Sequence, residues 1–259
     1  MQRLPRVSFC LLLVALAAPL VRALPDAEAA GGRLALRRYG DAVVVVKATV
    51  VLKVSYGERT MPPRENRVEI NGTMIAPNGL TVTALSQIDP ETLFEPMRGQ
   101  MVQQGAGMEL AQSEVKDVKL RLSDGTEVPA RVVGKDAIHD LVLVEPVGAD
   151  KAGRAFTCVP MEEAPEAMSL LGTYFLVSRT SEAMLRAAIV QPVTVIGIVE
   201  RPRRMILLNG DAIGCPAFDV QGRVLGICAR YTAKGVPVGP VLVPAADVVN
   251  AVNQAASAN

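Results

Sequence analysis

The chain has 259 residues, with 27 Lys+Arg against 26 Asp+Glu and a formal net charge of +1. That balance removes the electrostatic case for a nucleic-acid partner or an acidic membrane surface, and an aromatic content of 3% with no Trp leaves little on which bases or sugars could stack. Half of the residues are hydrophobic, beside 21 Gly and 18 Pro, a composition that fits a well-buried protein of many short strands and turns.

The opening reads as an export signal. Arg3 and Arg6 precede the apolar run Val7–Val21, and Val21-Arg22-Ala23 places small residues at the −3 and −1 positions of a cleavage site. At about fifteen residues the run is short of the roughly 20 a spanning helix needs, so a cut after Ala23 and a secreted or periplasmic product without a membrane span are expected. Residues 24–41 form an Ala/Gly-rich arm, read as loose or as a short helix.

Strand signals then dominate. Ala42–Ser55 is a long run of Val, Thr, Leu and Ala. Val68–Ala76 and Leu80–Leu85 flank Pro77-Asn78-Gly79, a tight turn. Residues 89–115 break the rhythm: Leu93, Phe94, Met97, Met101, Val102 and Leu110 sit at helical spacings, and the stretch is read as an insertion with one or two short helices packed on the domain. Strands resume at Val118–Leu122, Glu127–Gly134 and Leu141–Glu145, and Pro146–Arg154 reads as a linker. The second half repeats the style over Ala167–Ser178, Ala187–Val199, Met205–Leu208, Pro216–Val220, Arg223–Tyr231 and Val236–Val243. After Pro244, the residues Ala245, Val248, Val249 and Val252 make one face of a short terminal helix. Two sets of about six strands without crossover helices point to an all-β fold of two packed antiparallel six-stranded barrels, spanning 42–146 and 155–254 within one domain 42–254.

Three segments carry chemical information. The first is Asn71-Gly-Thr-Met-Ile-Ala-Pro-Asn-Gly-Leu-Thr-Val-Thr-Ala-Leu-Ser-Gln-Ile88, and the second runs from Val118 through Ser123-Asp124-Gly125 to Asp140-Leu-Val-Leu-Val144. The third is Asn209-Gly-Asp-Ala-Ile-Gly-Cys-Pro-Ala-Phe-Asp219, continued by Val-Gln-Gly-Arg-Val-Leu-Gly-Ile227 and by Gly239-Pro-Val-Leu-Val-Pro244. In this order they resemble the HtrA/Deg-type branch of the trypsin-like serine proteases, whose signatures are Val-Thr-Asn-Ala-His-Val, Asp-Leu-Ala-Leu-Leu and Gly-Asn-Ser-Gly-Gly-Pro. The resemblance covers most of Ala42–Val252, and no PDZ-like segment is read after it.

Carried across residue by residue, the resemblance places the triad His on Ser86, the Asp on Asp140 and the nucleophilic Ser on Ile213. Aligning Gly210-Asp211 instead moves the last to Ala212, and no Ser lies between Ser181 and Ser257. The oxyanion-loop equivalents are Asp211, Ala212 and Gly214. Acyl transfer needs a hydroxyl activated by a base that a carboxylate orients. Losing such a serine or histidine alone costs on the order of 10⁶-fold in kcat, about 8 kcal/mol of barrier, and a carboxylate at Asp211 would oppose a developing oxyanion. The resemblance alone implies an active hydrolase; the departures at Ser86, Ile213 and Asp211 oppose it, and a degenerate pseudoprotease holding a peptide or protein partner without cleavage is expected. The alternatives are an active serine-type endopeptidase with a substituted nucleophile, and an assembly protein acting through the 89–115 insertion.

The remaining candidates are weaker. Cys215 lies two places beyond the nucleophile position, and His139, the chain's one imidazole, adjoins Asp140 and reads as a turn residue. Cys10 falls in the signal, leaving Cys158, Cys215 and Cys228, an odd number. Cys215 and Cys228 flank one hairpin, as either a disulfide or two buried thiols. There is no Cys-x-x-Cys and no His/Asp cluster at ligand spacing, so neither a metal nor another cofactor is expected.

Overall fold

The computed structural model describes residues 26–57, 59–103, 107–148, 155–161, 168–201, 204–233 and 236–257. The expected signal, 1–23, lies outside them.

Barrel one starts from β1, Val43–Tyr56, whose β-branched run suits a pleated surface packed on both faces near its start. It pairs antiparallel with β3, Arg64–Met74, which meets β4, Thr81–Ala84, and then β7, Leu141–Pro146. β6, Glu127–Asp136, and β5, Met108–Arg121, follow, and β5 returns to β1 to close six strands. A two-residue strand β2, Arg59–Thr60, hangs on the far end of β1. Closure gives a fully buried interior: Val44, Val46, Val82, Leu120, Leu141 and Val144 have no exposed surface.

Barrel two comprises β8 (Thr173–Arg179), β9 (Ala188–Val199), β10 (Met205–Leu208), β11 (Pro216–Phe218), β12 (Val224–Ala233) and β13 (Val236–Pro244). They close in the order β10-β13-β12-β11-β8-β9. One continuous apolar cluster runs through both barrels, from Val44 and Leu143 to Leu176, Ile213 and Ile227. The expected fold, two six-stranded antiparallel barrels with a short C-terminal helix, is the one observed. That helix, α3, Ala245–Ser257, buries Ala245, Val248 and Ala251, with Asp247 in the first turn where the helix dipole favours it.

The arm takes the helical one of its two readings, and the insertion differs in part from its reading. The arm is a 14-residue helix, α1, Asp26–Tyr39, laid on barrel two. A Cβ on Gly31 would lie 2.1 Å from the Val220 carbonyl oxygen, so only glycine lets the helix approach this closely. At its end Tyr39 stacks on Phe218 with ring centroids 5.3 Å apart. The insertion is one helix, α2, Pro90–Gln103, and its expected second part belongs instead to β5, which begins at Met108. Tertiary packing outweighs helical spacing here. Leu110 pairs with Val54 in the β1–β5 ladder, and Met108 and Val54 share an apolar cluster with Phe94 of α2.

Candidate functional site

Ser86 and Asp140 meet, although 54 residues separate them. Ser86 sits in the 3₁₀ turn Leu85–Gln87 that ends β4. Asp140 precedes β7 with a left-handed φ of 57°, a conformation Asp tolerates better than most residues. β4 and β7 are ladder neighbours, with Ala84 opposite Leu141, so these two termini are brought together by register. Asp140 Oδ1 accepts the Ser86 amide at 2.6 Å, and Oδ2 accepts the Ser86 hydroxyl at 3.0 Å and the Arg230 amide, from barrel two, at 2.9 Å. Burial pushes the Asp140 carboxyl above its ordinary range, and the Ser86 and Arg230 amides and the Ser86 hydroxyl oppose that. Around the pair lies a groove of about 290 Å³, walled by Leu85, Thr92, Ile138, Arg230 and Tyr231 among others.

Ile213 does not line this groove. It stands at the corner of a tight turn in which the Cys215 amide bonds to the Ala212 carbonyl at 3.2 Å, and it is 5% exposed. Gly214, third in the turn, has φ +81°, as a type II turn requires. A Cβ there would lie 2.1 Å from the Asn71 carbonyl oxygen. The turn is tied down on both sides: the Gly214 amide bonds to the Cys228 carbonyl at 2.7 Å, and the Gly214 carbonyl accepts the Thr73 hydroxyl at 2.8 Å. Of the oxyanion-loop equivalents, Asp211 is exposed and Ala212 is buried at 6% exposure. The loop is thus a packed joint between the barrels, with an aliphatic side chain at its corner.

The candidate disulfide is not formed; Cys215 and Cys228 are free and buried. They are ladder neighbours, the Cys228 amide bonding to the Cys215 carbonyl at 2.9 Å, but their thiols face different partners. Cys215 Sγ lies toward the Ile213 carbonyl at 3.9 Å and the Asn71 side chain, and the Cys228 thiol toward the Ala212 amide. Burial raises both: Cys215 well above its ordinary value, and Cys228 to about 12 with the Asp211 carboxylate adding to the rise. A thiol so held is a poor nucleophile. His139 lies in the turn before β7, its Nδ1 2.7 Å from Asp136 Oδ2. Asp136 also accepts the Ile138 amide at 2.9 Å and the His139 amide at 3.1 Å, which makes the pair a turn lock.

Sequence reasoning did not single out Arg179, Asn71, Thr73, Thr83 or Arg230, yet these organise the site. The buried Arg179 guanidinium donates to the Val43 carbonyl, to Gly40 O at 2.9 Å and to Arg186 O at 3.0 Å. It pins the end of β8 to the start of β1. Thr83 donates to the Asn71 carbonyl at 2.6 Å, and the Asn71 amide to the Arg179 carbonyl at 3.4 Å. An arginine ending an apolar strand was the one sequence sign, and it does not say what the side chain reaches. Among the described residues no group of three His, Cys, Asp or Glu is placed to hold a metal, and no helix is long and apolar enough to cross a membrane.

The comparisons with known proteins bear on the fold. A family model described as "Trypsin-like peptidase domain" matches residues 70–227. Deg5 superposes with a TM-score of 0.57 and 17% identity over 89% of this chain and 95% of its own. The protease domain of MamO from Magnetospirillum magneticum gives 0.47 and 20% over 82% and 96% respectively. No curated protein sequence matches the chain.

Proposed function

The chain belongs to the trypsin-like peptidase domain family, matched by that family's model over residues 70–227, and we propose that it is a non-cleaving, exported member that holds a peptide or protein partner. One observation carries the reading. The positions that the family resemblance makes equivalent to the triad carry Ser86, Asp140 and Ile213, so on that alignment imidazole and nucleophilic hydroxyl are both missing, and the third side chain is buried.

The chemistry left at these positions is binding chemistry. The Asp140 carboxylate, which would orient a base, instead holds Ser86 to the Arg230 amide across the barrels. The Ser86 hydroxyl donates to a carboxylate, which is too weak a base to make it nucleophilic near neutral pH. Meanwhile the groove offers apolar walls at Leu85, Ile138 and Tyr231 around this small polar cluster, and Ile138 is 68% exposed. Extended-peptide recognition needs only backbone groups and side-chain pockets, so it outlives the loss of a triad. Export rests on the sequence of residues 1–23, and the near-neutral charge argues against a nucleic-acid partner.

The test is capture without turnover. The purified mature chain is incubated with a library of extended peptides, and bound and free fractions are measured by mass spectrometry. The reading expects enrichment of intact peptides, lost on Ile138→Asp. Fragments cut at a fixed residue type would overturn it.

A further inference from the structure

We propose that the open edge of β3 over Arg64–Ile70, with the apolar hairpin tip Met184–Leu185 beside it, docks an extended acidic segment of a partner protein carrying an apolar residue. This surface is separate from the groove at Ser86 and Asp140, and the proposal does not depend on that groove's occupancy.

Backbone pairing is the first observation. β3 pairs with β1 all the way from Arg64 to Thr73, but meets β4 only at Thr73 and Met74. Among the described residues, therefore, no strand takes the other edge from Arg64 to Ile70, a length of roughly 23 Å. Its residues are mostly exposed. Such an edge is a template for one more strand, which main-chain hydrogen bonds hold.

Charge selects the strand. Glu65 is taken up by Lys116 at 2.7 Å, and Glu69 by Lys47 at 3.5 Å and by Arg186. Arg64 and Arg67 form no ion pair among the described residues. The edge therefore presents two guanidinium groups outside its ion pairs, Arg64 on one face of the strand and Arg67, which also acts on Glu65, on the other, and each can meet a carboxylate on an incoming strand. The same charges discourage pairing with a purely apolar strand.

The hairpin tip supplies an apolar anchor. Arg186 ties the β8–β9 connection to Glu69, on this very edge. The connection is closed on itself: the Ser181 carbonyl accepts the Met184 and Arg186 amides at 3.0 and 3.1 Å, and the Met184 carbonyl accepts the Thr180 hydroxyl at 3.1 Å. Leu185 and Arg186 both hold left-handed φ values, 58° and 52°, unusual for residues with long side chains. The result is a rigid display of Leu185, 91% exposed, and Met184, 65% exposed. Strain spent on presenting apolar side chains is a mark of a recognition site.

The probe is a fluorescein-labelled synthetic peptide of repeating Asp-Asp-Val, which carries aspartate and valine on both faces of a strand and is about seven residues long to match the edge, titrated by anisotropy against the purified mature chain. Saturable binding is expected. It should weaken roughly tenfold or more in R64E/R67E and in Leu185→Gly, and the same peptide with serine in place of aspartate should bind less tightly. Glycine relieves the left-handed strain at residue 185, so that variant folds, and circular dichroism checks both. Absence of saturable binding, or equal affinity in the variants, overturns the proposal. So does a concentration-dependent dimer in sedimentation that R64E/R67E abolishes, because the edge would then belong to a second copy of the chain.

Discussion

The Ser86 hydroxyl donates to Asp140 Oδ2 at 3.0 Å while the Ser86 amide donates to Oδ1 at 2.6 Å, so one carboxylate is committed to a residue that cannot relay a proton. With the Arg230 amide on the same Oδ2, Asp140 links β4 of barrel one to β12 of barrel two. Replacing it by Asn keeps the shape but turns one acceptor oxygen into a donor facing donors. D140N should destabilise the fold by roughly 1–3 kcal/mol, and Ser86→Ala by about 1 kcal/mol or less. Urea denaturation of both variants and their double mutant measures the coupling.

The same carboxylate has a pH signature. Burial raises Asp140 above 3.8 in the folded state, so the native chain binds that proton more tightly than the unfolded one. Its contribution to stability is present below the ordinary carboxylate range and is lost as pH rises through the raised value. Asp136 runs the other way: burial raises it, but His139 and the His139 and Ile138 amides outweigh that and hold it below 3.8. Its contribution is lost as pH falls below 3.8. The stability difference between the parent chain and D140N should therefore shrink as pH climbs above about 4, read from denaturation midpoints. A flat difference contradicts the assignment.

Gly214→Ala combines two costs, a Cβ 2.1 Å from the Asn71 carbonyl oxygen and a left-handed backbone. The barrels would have to shift apart at the Thr73–Gly214 bond. A loss of roughly 2–4 kcal/mol is expected, measured as a fall in Tm. A neutral result would mean that the turn is not the joint described.

Arg179→Met leaves the Val43, Gly40 and Arg186 carbonyls without their shared donor in a buried place. The expected cost is roughly 2–4 kcal/mol, and Arg179→Lys should recover only part of it because an ammonium lacks the planar fork. Chemical denaturation separates the three proteins.

Thiol titration tests the cysteines. Cys158 is partly accessible, with burial raising it, whereas Cys215 and Cys228 are buried and raised further. A thiol reagent on the native mature chain should modify Cys158 first and the other two only on unfolding. Rapid modification of Cys215 would revive a cysteine nucleophile.

Much of the architecture was legible because it rests on local signals: β-branched runs, the Pro77-Asn78-Gly79 turn, and Gly214 and Gly222 around one hairpin. The convergence of Ser86 and Asp140 follows from two strand ends that share a register, which a motif order preserves. Other features are not local. β5 starts at Met108 because Leu110 pairs with Val54 in the ladder that closes the barrel, and the residues before it space like a helix. The thiol orientations of Cys215 and Cys228 depend on which carbonyl and amide each meets. Arg179 looks like any strand-ending cation until the carbonyls of Gly40 and Val43, far off in sequence, and of Arg186 in its own hairpin connection close on it.

The central claim is that no nucleophile is poised at these positions. Incubating the purified mature chain with a fluorophosphonate probe, and weighing it intact, tests this most directly. The account predicts an unchanged mass under conditions that label an active trypsin-like protease fully. Stoichiometric labelling that maps to Ser86, or to any other serine, would contradict it.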